Sequence, residues 1–70
     1  MNITVKIKYG CSKSLFESFG NNRYLVYLFS KENENPNEEL ISLISQKMGT
    51  PVGRIQIKQD KGSEKIIEVS

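Results

Sequence analysis

Apolar residues along this chain keep two different spacings, and the switch between them marks out its elements. From Asn2 to Tyr9 the pattern alternates, with Ile3, Val5, Ile7 and Tyr9 on one side and Thr4, Lys6 and Lys8 on the other. Successive side chains of a strand point to opposite faces, so this segment predicts a half-buried strand with a basic wet face. Arg23 to Phe29 predicts a second strand, with Tyr24, Val26 and Leu28 on one face and Leu25, Tyr27 and Phe29 on the other. Apolar residues on both faces imply a central strand, or one whose second face the preceding loop covers. That preceding segment, Gly10 to Asn22, is less regular. Leu15, Phe16 and Phe19 have the spacing of a short helical turn or packed loop, and Gly20-Asn21-Asn22 reads as a turn. The expectation is a connection pinned to the core by its two phenylalanines.

Between Glu34 and Arg54 the period lengthens to that of a helix. Leu40, Ile41, Leu43, Ile44 and Met48 fall on one side at 3.6 residues per turn, which predicts a helix from Pro36 to Met48. Asn35 suits the N-cap and Pro36 the first helical position, and Glu38 is placed to close a capping box. Gly49 supplies a left-handed stop, and Pro51 forbids continuation. Lys47 falls inside the apolar arc, so its stem is expected along the core edge with the ammonium in water. Alternation then returns. Ile55 and Ile57 point inward in a strand from Arg54 to Lys58, the chain turns through Gly62, and Lys65 to Val69 forms a last strand. These two make a terminal antiparallel hairpin.

The fold class is therefore α+β: a two-layer arrangement of one principal helix on a four-stranded, mainly antiparallel sheet, in the order β-β-α-β-β. Seventy residues, 1–70, make a single domain. One cysteine rules out an internal disulfide, and the absence of histidine removes the usual zinc spacings, so the fold must rest on its core. Hydrophobic residues are 37% of the chain and charged residues 26%, the balance of a folded domain rather than a disordered tail. The longest apolar run, Tyr24 to Phe29, is far short of the roughly 20 residues that span a bilayer, and lysines interrupt any signal-peptide pattern. A cytoplasmic protein without membrane attachment is expected.

Catalytic chemistry finds few carriers. Without histidine, and with Cys11 as the one thiol, the usual nucleophile–base pairs cannot be assembled, and the five glycines are scattered at turns rather than gathered into a phosphate loop. Glu32, Glu34, Glu38 and Glu39 cluster before and in the first turn of the helix, where the helix dipole favours acids for structural reasons alone. Neither an enzyme nor a cofactor is expected.

The order of short motifs resembles the YggU-like family of small proteins of unknown function. Lys8-Tyr9-Gly10-Cys11-Ser12-Lys13 follows the first strand as Lys-Pro-Gly-Ala-Ser-Lys does in that family, and Asn37-Glu38-Glu39-Leu40-Ile41 opens the helix like its Asn-x-x-Leu-Ile. Gly49 to Ile57 is similar to its helix-to-strand joint, and Lys65-Ile66-Ile67-Glu68-Val69 to its lysine-bearing last strand. The resemblance implies a β-β-α-β-β core, no established activity, and shared polar positions at Lys8, Asn37 and Lys65. It also places Cys11 where alanine is common, as a small packing residue. The lysine-rich start is similar as well to ubiquitin-like β-grasp proteins, some of which carry sulfur on a terminal Gly-Gly. Here the chain reads Ile67-Glu68-Val69-Ser70, so a carrier role is not expected.

Two binding functions follow. The first is a protein-interaction module, working as a monomer or weak homodimer through an edge or face of its sheet. The second is a single-stranded RNA or DNA module. For that reading Lys6, Lys8 and Lys58 share the wet face, Lys13, Lys61 and Lys65 stand in nearby loops, and Tyr27 or Tyr24 offers a stacking ring. A net charge of +2 is small for an electrostatic footprint on nucleic acid, which favours the protein reading. The candidate binding residues are Lys6, Lys8, Lys13, Tyr27, Asn37, Lys58 and Lys65.

Overall fold

The computed structural model describes all 70 residues, Met1 to Ser70. It is α+β, with one principal helix on a sheet of five strands rather than four. In chain order the elements are β1 (Asn2–Lys8), β2 (Leu15–Gly20), β3 (Arg23–Tyr27), α1 (Asn37–Met48), a single 3₁₀ turn (Val52–Arg54), β4 (Ile55–Asp60) and β5 (Glu64–Val69). The strands lie in the order β2-β3-β1-β5-β4. The sheet is mixed. β1 runs parallel to β3 and antiparallel to β5, while β2–β3 and β4–β5 are antiparallel hairpins.

The fifth strand is the segment expected to be a loop. Leu15 to Gly20 forms β2 at the sheet's edge, and Gly20, Asn21 and Asn22 then turn the chain with positive φ angles of 82°, 51° and 59°. Glycine and asparagine tolerate that left-handed region, so the turn is a tight hairpin. Phe16 packs on the covered side, its ring centroid 4.7 Å from that of Tyr24. Phe19 does not pin the segment. It is 62% exposed, at the point where the β2–β3 register shifts between Ser18 and Gly20. β3 consequently lies one place in from the edge, and no loop covers its second face.

The core lies on one side of the sheet. Ile3, Val5 and Ile7 of β1, Val26 and Leu28 at and beyond β3, Ile55 of β4, and Ile67 and Val69 of β5 meet Leu40, Leu43 and Ile44 of the helix. Ile41 and Met48 pack at the margin. Lys47 is exposed. The chain has a radius of gyration of 10.8 Å, close to the roughly 11 Å of a compact domain this long.

The helix ends as its sequence predicts and begins differently. Gly49, at φ 69°, donates its N–H to the Ser45 carbonyl and stops the helix. At the other end Pro36 is the cap residue and no side chain caps the helix. Asn35 stands outside in the left-handed region at φ 52°, so the capping box through Glu38 does not form. The acid of the helix's first turn that bonds backbone is Glu39. Its carboxylate accepts the N–H of Phe29 at 2.7 Å, the N–H of Ser30 at 3.0 Å and the Ser30 hydroxyl at 2.6 Å. It fastens the segment leaving β3 to the first turn of α1. Burial pushes this carboxyl up, but the three donors outweigh it and the net shift is below the ordinary carboxylate value.

Candidate functional site

Strand register decides which side chains share the uncovered face. Thr4, Lys6 and Lys8 of β1 stand opposite Arg23, Leu25 and Tyr27 of β3, and Leu25 and Tyr27 stand opposite Glu17 and Leu15 of β2. On the other flank Lys6 and Thr4 face Glu64 and Ile66 of β5. Leu15, Leu25, Tyr27 and Ile66 are half-buried by their neighbours alone, since the helix lies on the far side. The face is therefore an apolar patchwork set among charges of both signs.

Its cations are unequal. Lys58 lies where the β4–β5 register shifts between Ile57 and Gln59, and its ammonium is 3.1 Å from the Glu68 carboxylate. Lys6, Lys8 and Arg23 take part in no ion pair; the two in the molecule are Lys58–Glu68 and Lys65–Asp60. Glu64 and Glu68 on β5 separate the β1 lysines from Lys58. Two strand spacings, about 10 Å, lie between those columns. The expected basic face is thus a basic stripe along β1 and Arg23, bordered by acids.

Asn37 and Lys65 belong to a different place. The expectation of Lys65 in a loop is corrected: it is the second residue of β5, faces the helix side opposite Val5, and is 3% exposed. Its ammonium donates to the Asn37 amide oxygen at 2.5 Å and to the Asp60 carboxylate at 3.0 Å. A buried ammonium needs such partners, because leaving water is costly for a charge without hydrogen bonds. Asp60 in turn accepts the Gly62 N–H at 2.9 Å, and Tyr9 donates its hydroxyl to the Gly62 carbonyl. With Glu32 and Asn35 these groups line a polar cleft of about 260 Å³ beside the helix start.

Two groups there are perturbed. The Gly62 N–H and the Lys65 ammonium hold the Asp60 carboxyl below its ordinary value, against a smaller opposing effect of burial. Burial, with help from the Glu32 and Asp60 charges, raises the Tyr9 phenol. Gly62, at φ 84°, also has Glu32 over its Cα; a Cβ there would meet a Glu32 carboxylate oxygen at 2.7 Å. No three acidic, cysteine or histidine side chains gather closely enough to hold a metal ion.

The seven sequence candidates therefore separate. Lys6, Lys8, Tyr27 and Lys58 share the open face, Asn37 and Lys65 bond each other on the helix side, and Lys13 stands exposed in the β1–β2 connection. Lys8 does not join Asn37 and Lys65, since it points to the opposite face. Cys11 is half-buried, its thiol 3.4 Å from the Lys8 carbonyl. Sequence reasoning missed Arg23, Phe19 and Ile66 on the open face and Tyr9 and Asp60 in the cleft. Asp60 had a signal, since Asp two residues before a glycine commonly accepts that glycine's N–H in a turn. Phe19 had a faint one, since Leu15, Glu17 and Phe19 alternate with Phe16 and Ser18 as a strand would.

No helix is long and apolar enough to cross a membrane. No protein-family model matches the chain. No curated protein matches it either.

Proposed function

We propose that this chain is a non-enzymatic binding module that engages another protein through the uncovered face of its sheet. One observation carries the reading: a single helix covers one side of a five-stranded sheet, and the other side presents Leu15, Leu25, Tyr27 and Ile66 among unpaired charges of both signs. Protein interfaces combine apolar area with complementary polar groups, and charges of mixed sign select a partner by matching its own. A polyanion would instead meet Glu64 and Glu68 beside the lysines. The Lys65 cleft is read as structural, because Lys65 and Asp60 in it fasten β5 to the helix start and to the Gly62 turn.

The test is photocrosslinking in the producing cell. A benzophenone amino acid at Leu25 or Tyr27 should give a discrete protein adduct, and the same group at Glu38 or Gln46 on the helix should not. Equal labelling from both sides, or adducts with nucleic acid only, overturns the reading.

A second reading rests on the pairing of Lys8 with Tyr27, with Lys6 and Arg23 close by, which sets a stacking ring beside cations as single-stranded nucleic acid requires. If it holds, Lys6→Glu combined with Lys8→Glu abolishes binding of short RNA or DNA while leaving the fold intact. Unchanged affinity in the folded double variant removes it.

A further inference from the structure

The largest cleft of the molecule, about 380 Å³, opens on the uncovered face near the edge formed by β2 and β3. Its lining includes Thr4, Lys6, Phe19, Arg23, Glu64 and Ile66. Three features separate it from the rest of the face. Phe19 is the most exposed large apolar side chain in the protein, at 62%, and it stands at the register shift between Ser18 and Gly20. By strand alternation Phe19 shares the open face with Leu15 and Glu17, and its ring forms a wall of the cleft from the edge strand. Ile66 adds a second apolar wall from β5.

The charges are the second feature. Lys6 is directly opposite Glu64 across the β1–β5 ladder, yet they form no ion pair, and Arg23 is in none. Lys58 and Glu68 on the same face do pair, at 3.1 Å. Two free cations against one acid leave the cleft positive. Third, β2 is a sheet edge with neither lysine nor proline along it, so unpaired backbone groups of an edge strand lie next to the cleft.

We propose that this cleft is the anchor point of the interaction face, and that it takes an apolar side chain flanked by carboxylates from an acidic segment of the partner protein. Phe19 and Ile66 hold the apolar group, and Lys6 and Arg23 take the carboxylates. The assignment rests on the protein-binding reading above and names the partner's chemistry.

The experiment is an amide-resolved NMR titration of the intact chain with capped synthetic peptides. The first has a phenylalanine between two glutamates on each side. Its controls replace the glutamates by glutamine, the glutamates by lysine, or the phenylalanine by alanine; an oligodeoxythymidine is titrated in parallel. Shifts confined to Lys6, Phe19, Arg23 and Ile66 are expected with the acidic phenylalanine peptide. Two exposed ion pairs supply a modest gain, so the glutamine version should bind up to about tenfold more weakly. Arg23→Glu and Phe19→Ser should each remove the shifts, and if Arg23→Glu unfolds, Arg23→Gln reads the same contact. Binding of the lysine peptide as strongly as the acidic one overturns the proposal, as does an absence of shifts. Peptide shifts gathered at Leu25 and Tyr27 instead overturn the cleft assignment and leave the protein-binding face standing. Cleft shifts with the oligonucleotide alone overturn both.

Discussion

Lys65 shows what one residue decides here. A lysine in an alternating strand is ordinarily a wet-face residue, yet this one lies on the covered side, held by Asn37 and Asp60 at 2.5 and 3.0 Å. The ammonium ties β5 to the start of α1 and to the end of β4. Replacing Lys65 by an apolar residue of similar length removes its desolvation cost and leaves no buried charge behind, because Asp60 is half-exposed and keeps the Gly62 N–H. Lys65→Met should therefore change stability by no more than about 1 kcal/mol in either direction. Asp60→Ala should do worse, since it leaves the ammonium buried with one partner fewer; a loss of about 1–3 kcal/mol is expected. Urea unfolding of both variants checks the order, and a far larger loss for Lys65→Met would mean that the charge itself is required.

At the scale of elements, the helix depends on its face rather than its cap. Leu40 and Ile44 are fully buried against β1, β3 and β5 residues, whereas no side chain caps the first turn. Ile44→Ala and Leu40→Ala should each cost roughly 2–5 kcal/mol, much of the stability of so small a domain. Thermal unfolding reads this, and an unchanged midpoint for both would contradict the packing. β2 is the opposite case. It has one partner strand and contributes Phe16 to the core margin, while Leu15, Glu17 and Phe19 face outward or along the edge.

For the whole molecule, the perturbed groups define a window of pH. Asp60 and Glu39 have folded values below their ordinary 3.8 and 4.5, so their contribution is complete above that range and is lost as pH falls through the depressed values. Tyr9 is raised above 10.0, so the folded state favours the neutral phenol; its contribution is present below pH 10 and is lost as pH rises through the raised value. Stability against urea should plateau between these limits and fall on both sides. Glu39→Gln should flatten the acid limb and Tyr9→Phe the alkaline one. A limb unchanged by its variant would remove that group as the cause.

The α+β class, the helix with its inward residues Leu40, Leu43 and Ile44, the glycine stop at Gly49, the alternation of β1 and the terminal hairpin were all legible in the chain by itself. Each is a local matter: the spacing of apolar residues and the φ preferences of glycine and proline act within a turn or two of backbone. Strand neighbours are not local. Any two extended segments offer the same N–H and C=O groups, and the choice depends on which arrangement buries the apolar faces together. Only the tertiary structure therefore made Leu15–Gly20 a strand, set β3 antiparallel to it and parallel to β1, and left one face of the sheet uncovered. The candidate sites followed the same rule. Lys6 and Lys8 were readable as one face from alternation, and Lys65 has the inward parity of Ile67 and Val69. The meeting of Tyr27 with the β1 lysines, of Phe19 with Ile66, and of the Lys65 ammonium with Asn37 and Asp60 came only with strand pairing and packing. Those meetings depend on contacts between distant parts of the chain, and no spacing along it records them.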